Sequence, residues 1–346
     1  MSIARLKFLT MLTAFVALTA LGVWWAAPNR EVLDRSWAEL TALGGGSVAL
    51  LVAIGCAVIG AEMVRLIVFG RVLGVEVSAR AAFDASVAND LFSWISPGGM
   101  MGEPSAVYMM SRRGVALDAA LAISFGKFAT SFALIMGLAC GLLVAGYGPA
   151  IPGWAIASIV ATIGFGVVLV GSFVVGALWS ATTLRAIDRC ERWGMRKPRG
   201  AFATRAITGT AAVARRSVER LARFRGGGVH GWLAIAASHV LYYGSYVGLL
   251  VALAWMFDAR SVAAIVPIAI IYQAFTYIAP APGIPEAGAA VFFAGLLPDG
   301  DAFVVVLLFR ALTAYLQIVL GLVYLPIGGA LRGILERRAA GSMETP

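Results

Sequence analysis

Long runs of apolar residues, separated by short polar connections, set the pattern of this chain. Runs at about 8–27, 46–70, 117–146, 153–180, 231–257 and 302–328 are each long enough, at about 1.5 Å per residue, to cross a hydrocarbon core of about 30 Å. The alternating ten-residue segments of a membrane β-barrel do not occur. Two regions break the pattern. Residues 81–113 and 262–297 each read as two short apolar runs split by proline and glycine, and each run is expected to reach about half way across.

Composition agrees with this reading. Of 346 residues, 60% are hydrophobic and 13% charged, with a mean hydropathy of +0.88, which excludes a soluble globular protein. A net charge of +9 would suggest nucleic acid in a soluble chain. Here the basic residues gather in a few loops, so topology and anionic inner-leaflet lipids account for them and no nucleic-acid partner is expected. Cys56, Cys140 and Cys190 are far apart and form no CxxC, so neither a disulfide framework nor a metal site is expected. The first run, Phe8 to Ala27, follows Arg5 and Lys7, lacks a small-residue cleavage site and is read as a retained helix.

Lysine and arginine stay on the cytoplasmic side. Arg5 and Lys7, Arg71 and Arg80, Arg112 and Arg113, the dense run from Arg185 to Arg225, and Arg332, Arg337 and Arg338 are therefore placed inside, as are both termini. The other connections are sparse or acidic, as in Pro298-Asp-Gly-Asp301. These assignments agree only if the two broken segments are re-entrant hairpins entering from opposite faces. The expected fold is an all-α polytopic membrane protein with about six spanning helices and two oppositely oriented re-entrant hairpins, in the cytoplasmic (inner) membrane of a bacterial-type cell. One transmembrane domain covers 1–346, with repeat halves at about 46–146 and 231–328 and a basic cytoplasmic loop at 182–230. That loop reads either as one or two amphipathic helices on the inner leaflet or as a solvated charged connection.

The hairpins carry the candidate chemistry. Offsetting the first by 183 residues aligns Phe92 with Phe275, Pro97 with Pro280, Glu103 with Glu286, Asp118 with Asp301, Lys127 with Arg310 and Thr130 with Thr313. Both halves read P-x5-E-x14-D-x8-[K/R]-x2-T, and they agree at prolines and ionisable residues, which are rare and costly inside a membrane. Pro97, Gly98 and Gly99, and Pro280, Pro282 and Gly283, are expected to break helices near mid-membrane and free backbone groups, which is tolerated only in a protein-lined or wet site. Glu103 and Glu286 then lie near helix N-termini, where a carboxylate is favourable. Asp118 and Asp301 read as capping residues at the starts of the following helices. Lys127 and Arg310 lie nine residues further on, about 14 Å by helical rise, with Thr130 and Thr313 one turn later on the same face.

A buried cation needs a partner. The two readings are a pair of structural ion pairs, Glu103–Lys127 and Glu286–Arg310, or a site where the cations and broken-helix N-termini receive an anionic headgroup. The second is preferred, because structural pairs rarely repay their burial and discontinuous helices are where transporters bind substrate. Asp90, Glu103, Glu286 and His239 are candidate proton carriers. A histidine bonded to a neighbouring helix is the expected role of His239, which has Tyr242 and Tyr243 nearby.

The motifs Pro97-Gly-Gly-x-x-Gly-Glu103 after an asparagine-bearing hairpin (Asn89), Pro282-Gly-x-x-Glu286 and Leu-Leu-Phe-Arg310 resemble the transmembrane, or flippase, domain of the lysylphosphatidylglycerol synthase family. The resemblance covers about 45–330. It implies a translocase for lipids such as aminoacylated phosphatidylglycerol or polyprenyl-linked or hopanoid lipids, with Asn89 and Asp90 beside the Glu, Lys, Arg and Thr positions in the substrate-binding set. Lys127 in place of a more acidic or arginine-bearing pattern, and the lack of an arginine in Ser105 to Tyr108, leave the lipid open. No aminoacyl-transferase domain follows in this sequence, so translocation without synthesis is expected.

No HExxH, GxSxG, Walker A or dinucleotide motif occurs in context, so no enzyme activity and no cofactor is expected. Gly70-x-x-x-Gly74, Gly137-x-x-x-Gly141 and Gly244-x-x-x-Gly248 permit close helix approach, explained by packing within the chain and compatible with a homodimer. An ion-coupled carrier of a small anionic solute would share every feature of the repeat. A membrane enzyme acting on a lipid phosphate is disfavoured, because no nucleophile–base pair or metal cluster is present.

Overall fold

The computed structural model describes residues 44–96, 99, 101–147, 178–195, 201–257, 261–278 and 301–325, with scattered single residues between them. The described residues are helical, without strands. In chain order the helices are α1 (Gly45–Val72), α2 (Ala79–Ile95), α3 (Gly102–Arg112), α4 (Leu117–Val144), α5 (Ser180–Gly194), α6 (Ala201–Leu221), α7 (Gly228–Met256) and α8 (Val262–Ile278). The last is α9 (Asp301–Leu325), which contains a π turn at Ala311–Tyr315. The expected spans at 46–70, 117–146, 231–257 and 302–328 correspond to α1, α4, α7 and α9. Each is long and apolar enough to cross a membrane, α7 as the apolar part of a continuous helical run from Ala203 to Met256. The expected span at 8–27 lies almost wholly outside the described residues, and that at 153–180 is described only in part, chiefly at 170–172, 174–176 and 178–180.

Sequence chemistry sets the first boundaries. α1 ends where Gly74 takes a left-handed φ of 67° and the Val75 amide reaches back to the Gly70 carbonyl at 2.8 Å, a closure that only glycine makes without strain. Ser78 caps α2, its hydroxyl accepting from the Ala81 amide. α2 stops at Ser96, which is extended at φ −104° and ψ 145°, as the residue before Pro97 must be.

α2 and α3 form an antiparallel helical hairpin. Gly102 lies against Ser93 and Asn89 near the tip, and Arg113 pairs with Asp84 near the base. The first arm is longer than the half-span expected from sequence. Its 17 residues reach about 25 Å, because the proline break comes at the end of the apolar run rather than at its centre; the second arm, at 11 residues, reaches about 17 Å. In the second half, Gly288 lies against Phe275, and Phe292 and Phe293 stack on Tyr272. The chain therefore also runs back along α8.

Helix bounds recur at the offset found in the sequence. A shift of 183 residues carries α1 to 228–255 and α2 to 262–278, against Gly228–Met256 and Val262–Ile278, and carries α4 to 300–327, against Asp301–Leu325. Packing recurs too: α1 contacts α2 and α4, α7 contacts α8 and α9, and α1 and α7 pack on each other between the halves. The two cores differ in composition. Alanines such as Ala82, Ala85, Ala106, Ala120 and Ala129 fill the first, whereas Tyr246, Tyr272, Phe293 and Phe309 dominate the other.

Of the two readings left open for the basic segment, the structure has helices: α5 and α6 pair through Arg215, which bridges Asp188 at 2.8 Å and also meets Glu191. α6 is tied to the start of α4 by Arg220 on Asp118, so Asp118 receives a cation from another helix instead of serving only its own. Among the described residues, intrachain packing also fails to explain Gly137, Gly141, Gly244 and Gly248, since a Cβ added at any of them would meet nothing within 4 Å. Gly70 does fit that explanation, because an added Cβ would fall 2.6 Å from Val77.

A Cβ at Gly102 would lie 1.8 Å from the Ser93 hydroxyl and 3.0 Å from the Asn89 carbonyl. Gly102→Val is expected to force the arms apart and cost about 1–3 kcal/mol, read as a lower unfolding temperature in detergent. Ser93→Ala in the same chain should recover part of the loss; no recovery would mean that the arms do not meet there.

Candidate functional site

The helices deliver a charged cluster into an apolar setting. Lys127 on α4, 2% exposed, donates to Glu62 on α1, 1% exposed, and lies 3.0 Å from the Glu103 carboxylate in the first turn of α3. The other Glu103 oxygen accepts from Ser124 of α4 at 2.7 Å. Glu62 also meets Arg65 one turn along α1 at 3.0 Å. Arg65 in turn donates to Ser131 of α4 and packs 4.0 Å above the Tyr242 ring of α7.

The four charges sum to zero, the arrangement that a low-dielectric interior requires. They are not equally enclosed. The Glu62 and Lys127 side chains are sealed, but that of Glu103 is 29% exposed. Lys127 is thus held by one fixed and one accessible carboxylate. Asp90, buried on α2, is close enough to interact electrostatically with Glu62, Lys127 and Arg65, and it accepts from Asn89 at 3.2 Å.

The structure therefore brings Glu103 and Lys127 together, with Asp90 buried on α2 and bonded to Asn89. Gly99 has a left-handed φ of 69° in the turn between the arms. Thr130 does not point its hydroxyl at an ion pair: it meets His239 Nε2 on α7 at 2.9 Å and backs onto the Gly126 carbonyl. His239 thereby has the expected bond to a neighbouring helix. Thr313, in the π turn, donates to the Phe309 carbonyl at 2.7 Å. Arg310 is 1% exposed and crosses between the halves, with its guanidinium 4.4 Å above the Trp94 ring of α2. The Trp94 indole donates to Gln317 of α9 at 2.8 Å. Glu286, the expected partner of Arg310, lies outside the described residues, as do Pro97, Gly98, Pro280, Pro282 and Gly283.

A family model described as the lysylphosphatidylglycerol synthase TM region matches residues 8–321. The chain belongs to that family. Membership and the apolar helices make it an integral membrane protein with a lipid-related function. No curated protein and no solved structure matches it.

Glu62 and Arg65, which form half of the cluster, and the Trp94 platform were not among the residues expected from the sequence. The signal was present. Glu62 and Arg65 are the only charges in α1 before its final turn, and an ionisable residue inside a membrane helix is a site hypothesis by default. Nothing in the sequence paired Trp94 with Gln317, which are 223 positions apart. Among the described residues, no group of three or more metal-ligating side chains converges.

Glu62→Gln leaves two buried cations short of charge and is expected to cost about 3–5 kcal/mol. Glu103→Gln, at the exposed edge, is expected to cost under about 1 kcal/mol. Thermal unfolding of the two variants in one detergent checks the order; equal losses would contradict the asymmetric enclosure of Lys127.

Proposed function

We propose that the protein is a lipid translocase, a flippase or scramblase that moves a lipid with an anionic headgroup between leaflets. The aminoacylated, polyprenyl-linked and hopanoid lipids named by resemblance are the alternative cargoes. The observation that carries this reading is the single ammonium of Lys127, held between sealed Glu62 and accessible Glu103. An arriving phosphate displaces Glu103 and takes its place on the cation, so the charge count is preserved while the headgroup crosses apolar surroundings. Recurrence of the helix bounds and the two hairpins support a pair of re-entrant elements of opposite orientation, with the pathway between them and Arg310 as the second-half counterpart of Lys127. No chemical step is assigned to the protein. The proposed site is the cytoplasmic membrane of a bacterial-type cell, with both termini inside.

Proteoliposomes carrying fluorescent anionic or neutral phospholipids test this reading. The native protein is expected to move the anionic probe. Lys127→Gln and Arg310→Gln, with unfolding temperatures showing that they fold, are expected to slow it about tenfold or more, the equivalent of about 1.4 kcal/mol. Glu103→Gln removes the competing carboxylate and is expected to tighten anionic-lipid binding. Unchanged lipid movement in both cation variants would return Lys127 to a purely structural pair. A folded native protein that moves no lipid but takes up a small anion would favour a solute carrier.

A further inference from the structure

Outside the charged cluster, the least expected surface is on α5. At about 100° per residue, three stripes run along this helix. Ile187, Asp188, Glu191 and Gly194 form the side turned to α6, where the two carboxylates take Arg215 and Gly194 lies against Ile207. A second stripe carries Arg185, Arg189 and Arg192, all exposed. The third, about 100° from the arginines, carries Ala186, Cys190 and Trp193 and continues to Trp179 at the N-cap. Trp179 and Trp193 are 57% and 69% exposed, and Cys190 is exposed between them.

The position of this face decides what it meets. The chain bends by 101° between residues 170–176 and α5, so α5 runs nearly at right angles to the apolar segment before it. α6 and the following 3-10 turn sit at the ends of three apolar helices. Arg220 pairs with Asp118 in the first turn of α4, and Arg223 donates to the Leu73 carbonyl at the end of α1 at 3.2 Å. Gly228 then opens α7 directly. α5 is fastened to this layer through Arg215.

We infer that α5 seats on an anionic bilayer surface, with Trp179, Cys190 and Trp193 sunk below the headgroups and Arg185, Arg189 and Arg192 bound to lipid phosphates. A helix that buries tryptophans and keeps arginines beside them fits the interface plane, and tryptophan is the residue that tolerates half-wet surroundings. The charge pattern selects the lipid: on these two stripes arginine is the sole charged residue, so phosphatidylglycerol is favoured over neutral phosphatidylcholine. This inference does not depend on whether the protein moves lipids.

The test uses the full chain with Cys56→Ser and Cys140→Ser, spin-labelled at Cys190 and reconstituted into phosphatidylcholine with or without phosphatidylglycerol. With phosphatidylglycerol the label is expected to be reached by oxygen and shielded from a nickel chelate; without it, or in high salt, the shielding is expected to weaken. Arg185→Gln, Arg189→Gln and Arg192→Gln together should abolish the lipid dependence, lowering the ratio of seated to lifted label on the order of fivefold per arginine. The salt series on the native arginines gives an answer even if that variant fails to fold. Nickel access that is equal and high in both lipids overturns the inference, because the face is then solvated. Shielding from both reagents in detergent and bilayer alike also overturns it, because the face is then covered by protein.

Discussion

An ammonium removed from water must be surrounded by negative charge or lose its proton, and the position of Lys127 makes that requirement the organising constraint of the fold. Glu62 answers it from α1 and Glu103 from α3. Having entered the interior, Glu62 draws in Arg65, and Arg65 reaches Ser131 and the Tyr242 ring. One buried charge thus determines which faces of α1, α3, α4 and α7 meet. In a bilayer this matters more than apolar matching, because lipid tails satisfy a leucine as well as a neighbouring helix does. Alanine contacts then let the first-half helices come close enough for these short bonds.

Fold and proposed activity are linked by the uneven enclosure of that cluster. A fully sealed ion network is inert, and a fully solvated one gains little from charge pairing. Here the hairpin places one carboxylate of the network at an accessible edge, at the N-terminal turn of a short helix. The helix break that creates this position also favours its charge, since a carboxylate in the first turn of a helix is stabilised by the helix dipole. In the second half the Arg310 guanidinium lies over an indole from the opposite half.

Much of this was legible in the sequence because membrane helices are long and their expensive residues few. The bounds of α1, α4, α7 and α9 followed from apolar run length, and the pairing of Glu103 with Lys127 followed from the cost of an unpaired cation. What escaped was relational. Glu62 and Arg65 looked like one more turn of a spanning helix until α4 was placed beside them. α5 and α6 stayed one of two readings because arginines interrupt their apolar stripes, and their order comes from Arg215 and Arg220, whose partners lie 24 to 102 positions away. The length of α2 was misjudged for a local reason: a proline ends a helix at the residue before it, not at the middle of the apolar run.

The unlike filling of the two cores reaches beyond packing. One core cluster is rich in alanine; the other, which draws on α1 and α4 as well as on α7, α8 and α9, is rich in stacked rings. If the halves descend from one ancestral unit, they have since divided the labour and are no longer interchangeable parts. A chain assembled from two first halves would have no ring platform to receive Arg65, and one assembled from two second halves would have no Glu62. The two parts of the chain therefore complete each other where α1 meets α7, the guanidinium of one seated on the ring of the other.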